Sequence, residues 1–128
     1  MNLSPRQFRQ KDLVRKIRTI LAETGQPAHL LELEITESTL LHDIDAALAT
    51  LRELDAMGVR LAIDDFGTGY SSLNHLKRLP VHKLKIDQSF VRDLCHDRDD
   101  AAIVNAIIGL GRAMDLHVLA EGVETGDQ

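Results

Sequence analysis

The chain has 128 residues, of which 44% are hydrophobic, and its formal net charge is −5 at pH 7. This length and apolar content suffice for one domain with a core, and they exclude a disordered chain. The negative charge argues against non-specific binding of DNA or RNA, because basic side chains cluster only in the first 20 residues, where we expect them to form the solvated face of a helix.

Three features of the sequence bear on the compartment. No run of about 18 or more apolar residues is present, and the first residues, MNLSPRQFRQK, lack the apolar centre of a signal peptide. The single cysteine, Cys95, cannot form an internal disulfide, which agrees with a reducing compartment. These features predict a cytoplasmic protein, and attachment of a longer parent protein to a membrane would need segments outside this chain.

Helical and strand patterns alternate along the chain. In chain order, apolar periodicity and caps predict a helix over residues 4–25, a strand over 29–36, a helix over 43–58, a strand over 59–63, a helix over 72–78, a strand over 83–86, a helix over 99–114 and a strand over 117–121. Strands that alternate with helices indicate right-handed crossovers and a parallel sheet. The sequence therefore predicts an α/β fold with four strands.

Each predicted strand ends in charged residues. They are Glu34 and Glu37, Asp64 and Asp65, Lys85 and Asp87, and Glu121 and Glu124. The carboxyl ends of parallel strands lie at the same edge of the sheet, so we expect these side chains to converge although they are distant in sequence.

Crowded carboxylates at such an edge repel one another unless a cation lies among them. Oxygen ligands without paired histidines or cysteines favour Mg²⁺ or Mn²⁺ over Zn²⁺. The adjacent Asp64 and Asp65 could serve two ions about 3.5–4 Å apart, an arrangement suited to phosphate-ester hydrolysis. Taken alone, such a pair is more often a helix start or a solvated turn, a lone Lys85 is usually a surface charge, and a Gly-Thr-Gly segment is usually only a turn.

Four segments together resemble a known family. LELEITES, LAIDDFGTGYSSL, LPVHKLKID and LAEGVET look like consecutive motifs of the bacterial EAL domain, and NLS near Met1 resembles another. The resemblance covers residues 1–128 and implies a TIM-like (β/α) barrel that uses two Mg²⁺ or Mn²⁺ ions to hydrolyse cyclic di-GMP to linear diguanylate. It also implies further domains in the parent chain and allows a homodimer.

The resemblance implies roles for individual residues. The metal ligands would be Asn2, Glu34 and Asp64 for the first ion and Asp64, Asp65 and Glu121 for the second. Lys85 would position the attacking water, Glu121 would help to activate it, and Glu124 would support the water network. Glu37 would anchor a lid formed by Phe66, Gly67, Thr68, Gly69, Tyr70, Ser71 and Ser72.

The chain also departs from the family pattern. It has no Glu-Ala-Leu motif, which supplies a further metal ligand, and it matches only about half of a barrel of about 250 residues. We therefore expect a barrel fragment with four complete strands, inactive or weak alone, whose inner apolar face would be exposed unless another segment covered it. His82 stands where the family usually has Asp, and Gln88 where it usually has Arg. The alternatives are a non-catalytic module that binds cyclic di-GMP or a partner, and a scaffold or pseudogene remnant.

Overall fold

The computed structural model describes residues 1–41, 43–69 and 73–128. Within them, helices and strands alternate for most of the length. The helices are α1 (Pro5–Phe8), α2 (Leu13–Thr24), α3 (Glu37–Leu41), α4 (Ile44–Ala56), α5 (Leu73–Leu76), α6 (Gln88–Arg92) and α7 (Arg98–Ala113). The strands are β1 (Glu32–Thr36), β2 (Arg60–Phe66), β3 (Lys83–Ile86) and β4 (His117–Ala120).

The four strands form one parallel sheet in the order β1-β2-β3-β4. Asn2 adds a parallel bridge to Glu34 on the free side of β1. The α/β class, the parallel sheet and the four strands are thus as predicted from the sequence.

The helix predicted over residues 4–25 is wrong as one element. Ser4 and Gln7 form a reciprocal capping box around the short α1, and α2 begins separately at Leu13 and ends at Gly25 in the left-handed conformation. The strand predicted from residue 29 begins later, because Ala28–Leu30 form a 3₁₀ turn after Pro27. Helices α3 and α6 were not predicted, and the predicted start of α5 at Ser72 lies outside the described residues.

One face of the sheet packs against the helices. Its side chains alternate along the strands and are buried: Leu33, Ile35, Leu61, Ile63, Leu84 and Ile86. The helices contribute buried residues such as Leu51 and Leu54 of α4 and Ile107 of α7. This apolar layer contains most of the core.

The opposite face of the sheet is charged rather than apolar, so the expectation of an exposed apolar inner face is wrong. The pairing register places these side chains on it: Glu32, Glu34, Arg60, Asp64, Lys83 and Lys85. Apolar exposure on this face is confined largely to β4, where Leu119 is 45% exposed. In the part of the chain that the structure describes, no helix combines the length and the apolar character needed to cross a membrane.

Two glycines of α7 give a matched test of its packing on β4. A Cβ at Gly111 would lie 2.2 Å from Cγ2 of Val118, whereas a Cβ at Gly109 would meet nothing within 4 Å. We expect Gly111→Ala to lower the free energy of unfolding by about 1–3 kcal/mol, because the helix must move away from the strand. Gly109→Ala should raise it by about 1 kcal/mol, since alanine favours helix more than glycine does. Urea unfolding measures both, and equal effects of the two variants would contradict the described packing.

Candidate metal centre

Lys85 is the centre of a cluster of charged side chains at the carboxyl edge of the sheet. Its Nζ lies 2.8 Å from Glu34 Oε2, 3.0 Å from Asp64 Oδ1 and 2.6 Å from Glu121 Oε1. These carboxylates belong to β1, β2 and the residue after β4, and Lys85 itself is only 6% exposed. Burial alone would lower the pKa of Lys85, but ion pairing with the three carboxylates raises it above its ordinary value, so the side chain is a fixed cation.

A small residue on β2 lets Lys85 reach Glu34. The two belong to β3 and β1, which flank β2 and lie about 10 Å apart. Between them, Ala62 pairs with Glu34 on one side and with Lys83 on the other. The same gap accommodates a second ion pair, in which Lys83 Nζ lies 2.7 Å from Glu32 Oε2. A bulkier side chain at position 62 would occupy the space that both pairs cross.

Asn2 lies beside this cluster because its backbone follows β1. The backbone N–H of Leu3 donates to Glu34 O, and the N–H of Glu34 donates to Met1 O, each at 2.9 Å. The Asn2 amide oxygen faces only acceptors; with oxygen and nitrogen exchanged, the nitrogen would donate to Glu34 Oε2 at 2.7 Å and Asp64 Oδ2 at 3.3 Å. The Asn2 amide thus lies within hydrogen-bonding distance of Glu34 and Asp64, and its oxygen is a group that could join them as a ligand of a hard cation.

The end of β2 is irregular in a way that brings its two aspartates together. The register with β3 shifts between Ile63 and Phe66, and Asp65 has a positive φ of 53°. In a regular strand, adjacent side chains point to opposite faces, and a bulge changes that direction. Carboxylate oxygens of Asp64, Asp65 and Glu121 lie within 4.8 Å of one another, so these three residues could hold a metal ion.

Asp87 is a member of this cluster to which the sequence analysis gave no role. Burial and the neighbouring carboxylates Asp64, Asp87 and Glu121 raise the pKa of Asp65. Hydrogen bonds from the Ser89 side chain and from the Ser89 backbone N–H, the latter at 2.8 Å, lower the pKa of Asp87 and keep it ionised. The sequence signal for Asp87 was its position among the charged strand ends.

The cluster fits a divalent cation on two observations. Oδ1 of Asp64 is buried, and the partner that the described structure gives it is the Lys85 ammonium at 3.0 Å, which Glu34 and Glu121 also contact. Three carboxylates, those of Glu34, Asp64 and Glu121, share the ammonium of Lys85, and the carboxylates of Asp65 and Asp87 add further negative charge beside them. Their oxygen donors suit a hard divalent cation.

Glu37 supports the turn that follows β2. It is 3% exposed, and its Oε2 accepts hydrogen bonds from the backbone N–H groups of Gly67 at 3.1 Å and Gly69 at 3.3 Å. Thr68 turns back and donates from Oγ1 to Asp65 O at 2.8 Å. The buried Phe66 ends β2, and the remaining lid positions predicted from the sequence, Tyr70, Ser71 and Ser72, lie outside the described residues.

Glu124 lies in the exposed turn after β4, apart from the Lys85 cluster. Its backbone N–H donates to Gln128 Oε1 at 2.8 Å. Within residues 1–41, 43–69 and 73–128, its carboxylate forms no ion pair or hydrogen bond with the cluster. The role predicted for Glu124 in a water network therefore stays a prediction.

The parallel α/β sheet and the carboxylate cluster around the buried Lys85 at its carboxyl edge define a domain with oxygen ligands that could hold a hard cation. Residues 1–128 match the EAL domain family, and the chain belongs to it. It is 55% identical over 129 residues to MucR of Pseudomonas aeruginosa, named as a bifunctional diguanylate cyclase/cyclic di-GMP phosphodiesterase, with 100% of this chain and 19% of MucR covered. It is 47% identical over 116 residues to the cyclic di-GMP phosphodiesterase NbdA of the same species, with 91% of this chain and 15% of NbdA covered.

Solved structures agree with this assignment. The PaMucR phosphodiesterase in complex with c-di-GMP has a TM-score of 0.95 and 54% identity, and the match covers 98% of this chain and 51% of the PaMucR chain. Klebsiella pneumoniae BlrP1 with manganese and c-di-GMP at pH 9.0 has a TM-score of 0.88 and 34% identity, and the match covers 99% of this chain and 33% of the BlrP1 chain. The chain thus spans about half of the solved MucR chain and less than a fifth of the full MucR sequence.

A larger side chain at position 62 tests whether the two ion pairs need the space above Ala62. We expect Ala62→Val to lower the free energy of unfolding by about 1–3 kcal/mol, since the added methyl groups displace the side chains that cross β2. The rise in thermal midpoint caused by Mn²⁺ should shrink as well. Ala62→Ser keeps the residue small and should retain most of both quantities. If Ala62→Val leaves both the free energy of unfolding and the Mn²⁺-induced rise unchanged, the ion pairs do not need this gap.

The raised pKa of Asp65 predicts a dependence of stability on pH. Its ionisation in the crowded site destabilises the metal-free protein at pH above that pKa, and this penalty disappears as the pH falls below it. Asp65→Asn removes the charge, and asparagine tolerates a positive φ. Without metal at neutral pH, we expect the variant to have a higher thermal midpoint than the parent protein, and this difference should shrink towards about pH 4. Added Mn²⁺ should raise the midpoint of the variant less than that of the parent protein. A lower midpoint at every pH would contradict the charge argument.

Proposed function

We propose that this domain hydrolyses cyclic di-GMP to linear diguanylate with two divalent cations, within a longer protein that has further domains. The observation that carries the proposal is the shared position of Asp64. It lies between Asn2 and Glu34 on one side and Asp65 and Glu121 on the other. One carboxylate between two groups of oxygen ligands is the arrangement required for adjacent metal ions.

The residues would divide into two ligand sets. Asn2, Glu34 and Asp64 would hold the first ion, and Asp64, Asp65 and Glu121 the second. When bound, Mg²⁺ or Mn²⁺ would supply Lewis acidity and lower the pKa of a water molecule. Asp87, held by Ser89, would restrain the Asp65 carboxylate from the side of β3.

Lys85 would orient the attacking water and oppose charge that develops on the phosphate. It is suited to this because its ammonium stays protonated and its position is fixed by three carboxylates. Glu121 is the most exposed of these three, at 37% of its side chain, so its carboxylate is the one best placed to receive a proton from water. Glu124 would assist from the adjoining turn.

The turn after β2 would close over the nucleotide. Glu37 holds the backbone of Gly67 and Gly69, and Thr68 between them donates to Asp65 O. Movement of this turn would therefore be transmitted to the strand end that carries Asp65. There is no room for a side chain at Gly69, where a Cβ would lie 2.8 Å from Glu37 Oε1. The lid would therefore be coupled to the ligand set through backbone contacts.

A second function is favoured by one observation. Residues 1–128 contain no Glu-Ala-Leu segment, so they supply only part of the ligand set of the family pattern. A domain that binds cyclic di-GMP without cleaving it would satisfy the same ligand geometry. Binding without hydrolysis distinguishes this function from the first, and the absence of binding would favour a scaffold.

The decisive experiment is cyclic di-GMP hydrolysis by the protein at its full natural length, with and without Mn²⁺. We expect Asp64→Asn and Lys85→Met each to reduce the rate at least roughly 100-fold, because each removes charge from the reacting centre. Asp115→Asn is the control, since Asp115 is exposed, lies in the turn before β4 and has a positive φ that asparagine tolerates. Turnover that survives Asp64→Asn would overturn the phosphodiesterase proposal. Nucleotide binding without turnover in the parent protein would establish the second function.

A further inference from the structure

We infer that Gln128 is a positioning residue for the metal centre, an inference that rests on the function proposed above. The side chain of Gln128 spans two elements and forms hydrogen bonds only to backbone atoms in the described structure. Its Oε1 accepts from the N–H groups of Glu124 at 2.8 Å and Thr125 at 3.0 Å. Its Nε2 donates to Val91 O at 3.1 Å and Arg92 O at 3.3 Å.

These four contacts close the segment that follows β4. The segment starts at Glu121, whose N–H donates to Ile86 O at 3.3 Å, and ends at Gln128 on the last turn of α6. In between, Gly122 adopts a φ of 72°, and a Cβ there would lie 3.0 Å from Cβ of Gln88. The segment is thus held against both ends of α6.

Helix α6 connects this clamp to the ligands. Its N-cap is Asp87, which lies beside Asp65, and its buried Val91 anchors it in the core. Gln128 therefore fixes α6 relative to the turn that carries Glu121. The carboxylates of Asp65, Asp87 and Glu121 depend on that spacing.

The chemistry of the amide group explains why glutamine suits this position. One planar group supplies an acceptor for two N–H groups and a donor for two carbonyls at the end of a helix. Glutamate has the same shape and retains the acceptor, but it has no donor and would face two carbonyl oxygens. Alanine removes both functions. The two variants therefore separate the contact with the turn from the contact with α6.

The test uses the protein at its full natural length and two measurements that do not need turnover. Hydrogen exchange reports the amides of Glu124 and Thr125, and Mn²⁺ titration followed by electron paramagnetic resonance reports metal affinity. For Gln128→Ala we expect at least roughly tenfold faster exchange at these amides. We also expect a roughly three- to tenfold weaker apparent affinity for Mn²⁺, less than the roughly 10- to 100-fold loss typical of residues bonded directly to metal ligands, because Gln128 acts through α6. Gln128→Glu should likewise weaken Mn²⁺ binding. Gln26→Ala, an exposed position after α2, should change neither quantity.

The outcomes separate this inference from the proposed function. If Gln128→Ala speeds exchange and weakens Mn²⁺ binding while the parent protein shows no hydrolysis, the positioning role stands and the phosphodiesterase proposal fails. If exchange accelerates but Mn²⁺ affinity is unchanged in both variants, Gln128 is only structural and the inference is overturned. A parent protein that binds no Mn²⁺, or variants identical to it, would overturn the inference as well.

Discussion

The site depends on the concentration of negative charge at one edge of the sheet. Lys85 offsets one charge of a group that includes Glu34, Asp64 and Glu121. Burial and the neighbouring carboxylates together raise the pKa of Asp65. Such a cluster is unfavourable unless another cation joins it. The architecture around it can be understood as the means by which these carboxylates are held close together in spite of their repulsion.

Parallel pairing is the first of these means. All four strands place their carboxyl ends at the same edge, so that each contributes one or two charged residues from a different part of the chain. The apolar face beneath, covered by α4 and α7, makes the strand positions rigid. Local departures from regular structure then adjust the side chains: the small Ala62 lets residues of β1 and β3 meet, and the bulge at Asp65 turns two successive carboxylates towards one place. The site is therefore an outcome of the strand order and of two local features of β2.

The sequence predicts those parts of this arrangement that depend on pattern. Alternation of strands and helices was sufficient to infer the parallel sheet, and the charged residues at the strand ends were sufficient to place Glu34, Asp64, Lys85 and Glu121 together. Contacts that depend on packing could not be read in the same way. Lys85 and Glu34 are 51 positions apart, and nothing in the sequence shows that Ala62 is the gap between them. The division of residues 4–25 into α1 and α2 was likewise hidden, because the capping box at Ser4 is compatible with a short helix as well as a long one. The role of Gln128 lay in the contacts of a turn that has no periodic pattern.

The geometry around Lys85 also shows how an ammonium group and divalent cations could share the same carboxylates. Nζ contacts Oε2 of Glu34, Oδ1 of Asp64 and Oε1 of Glu121, so each of these carboxylates has a second oxygen that could serve another cation. A carboxylate can interact with different cations through its two oxygens, so lysine and metal need not compete for the same atom. The ammonium would then hold the three side chains in place before metal binds and remain among them afterwards. A lysine that orders the ligand set in this way reduces the reorganisation that metal binding requires, and it keeps a fixed positive charge where phosphate chemistry would need one.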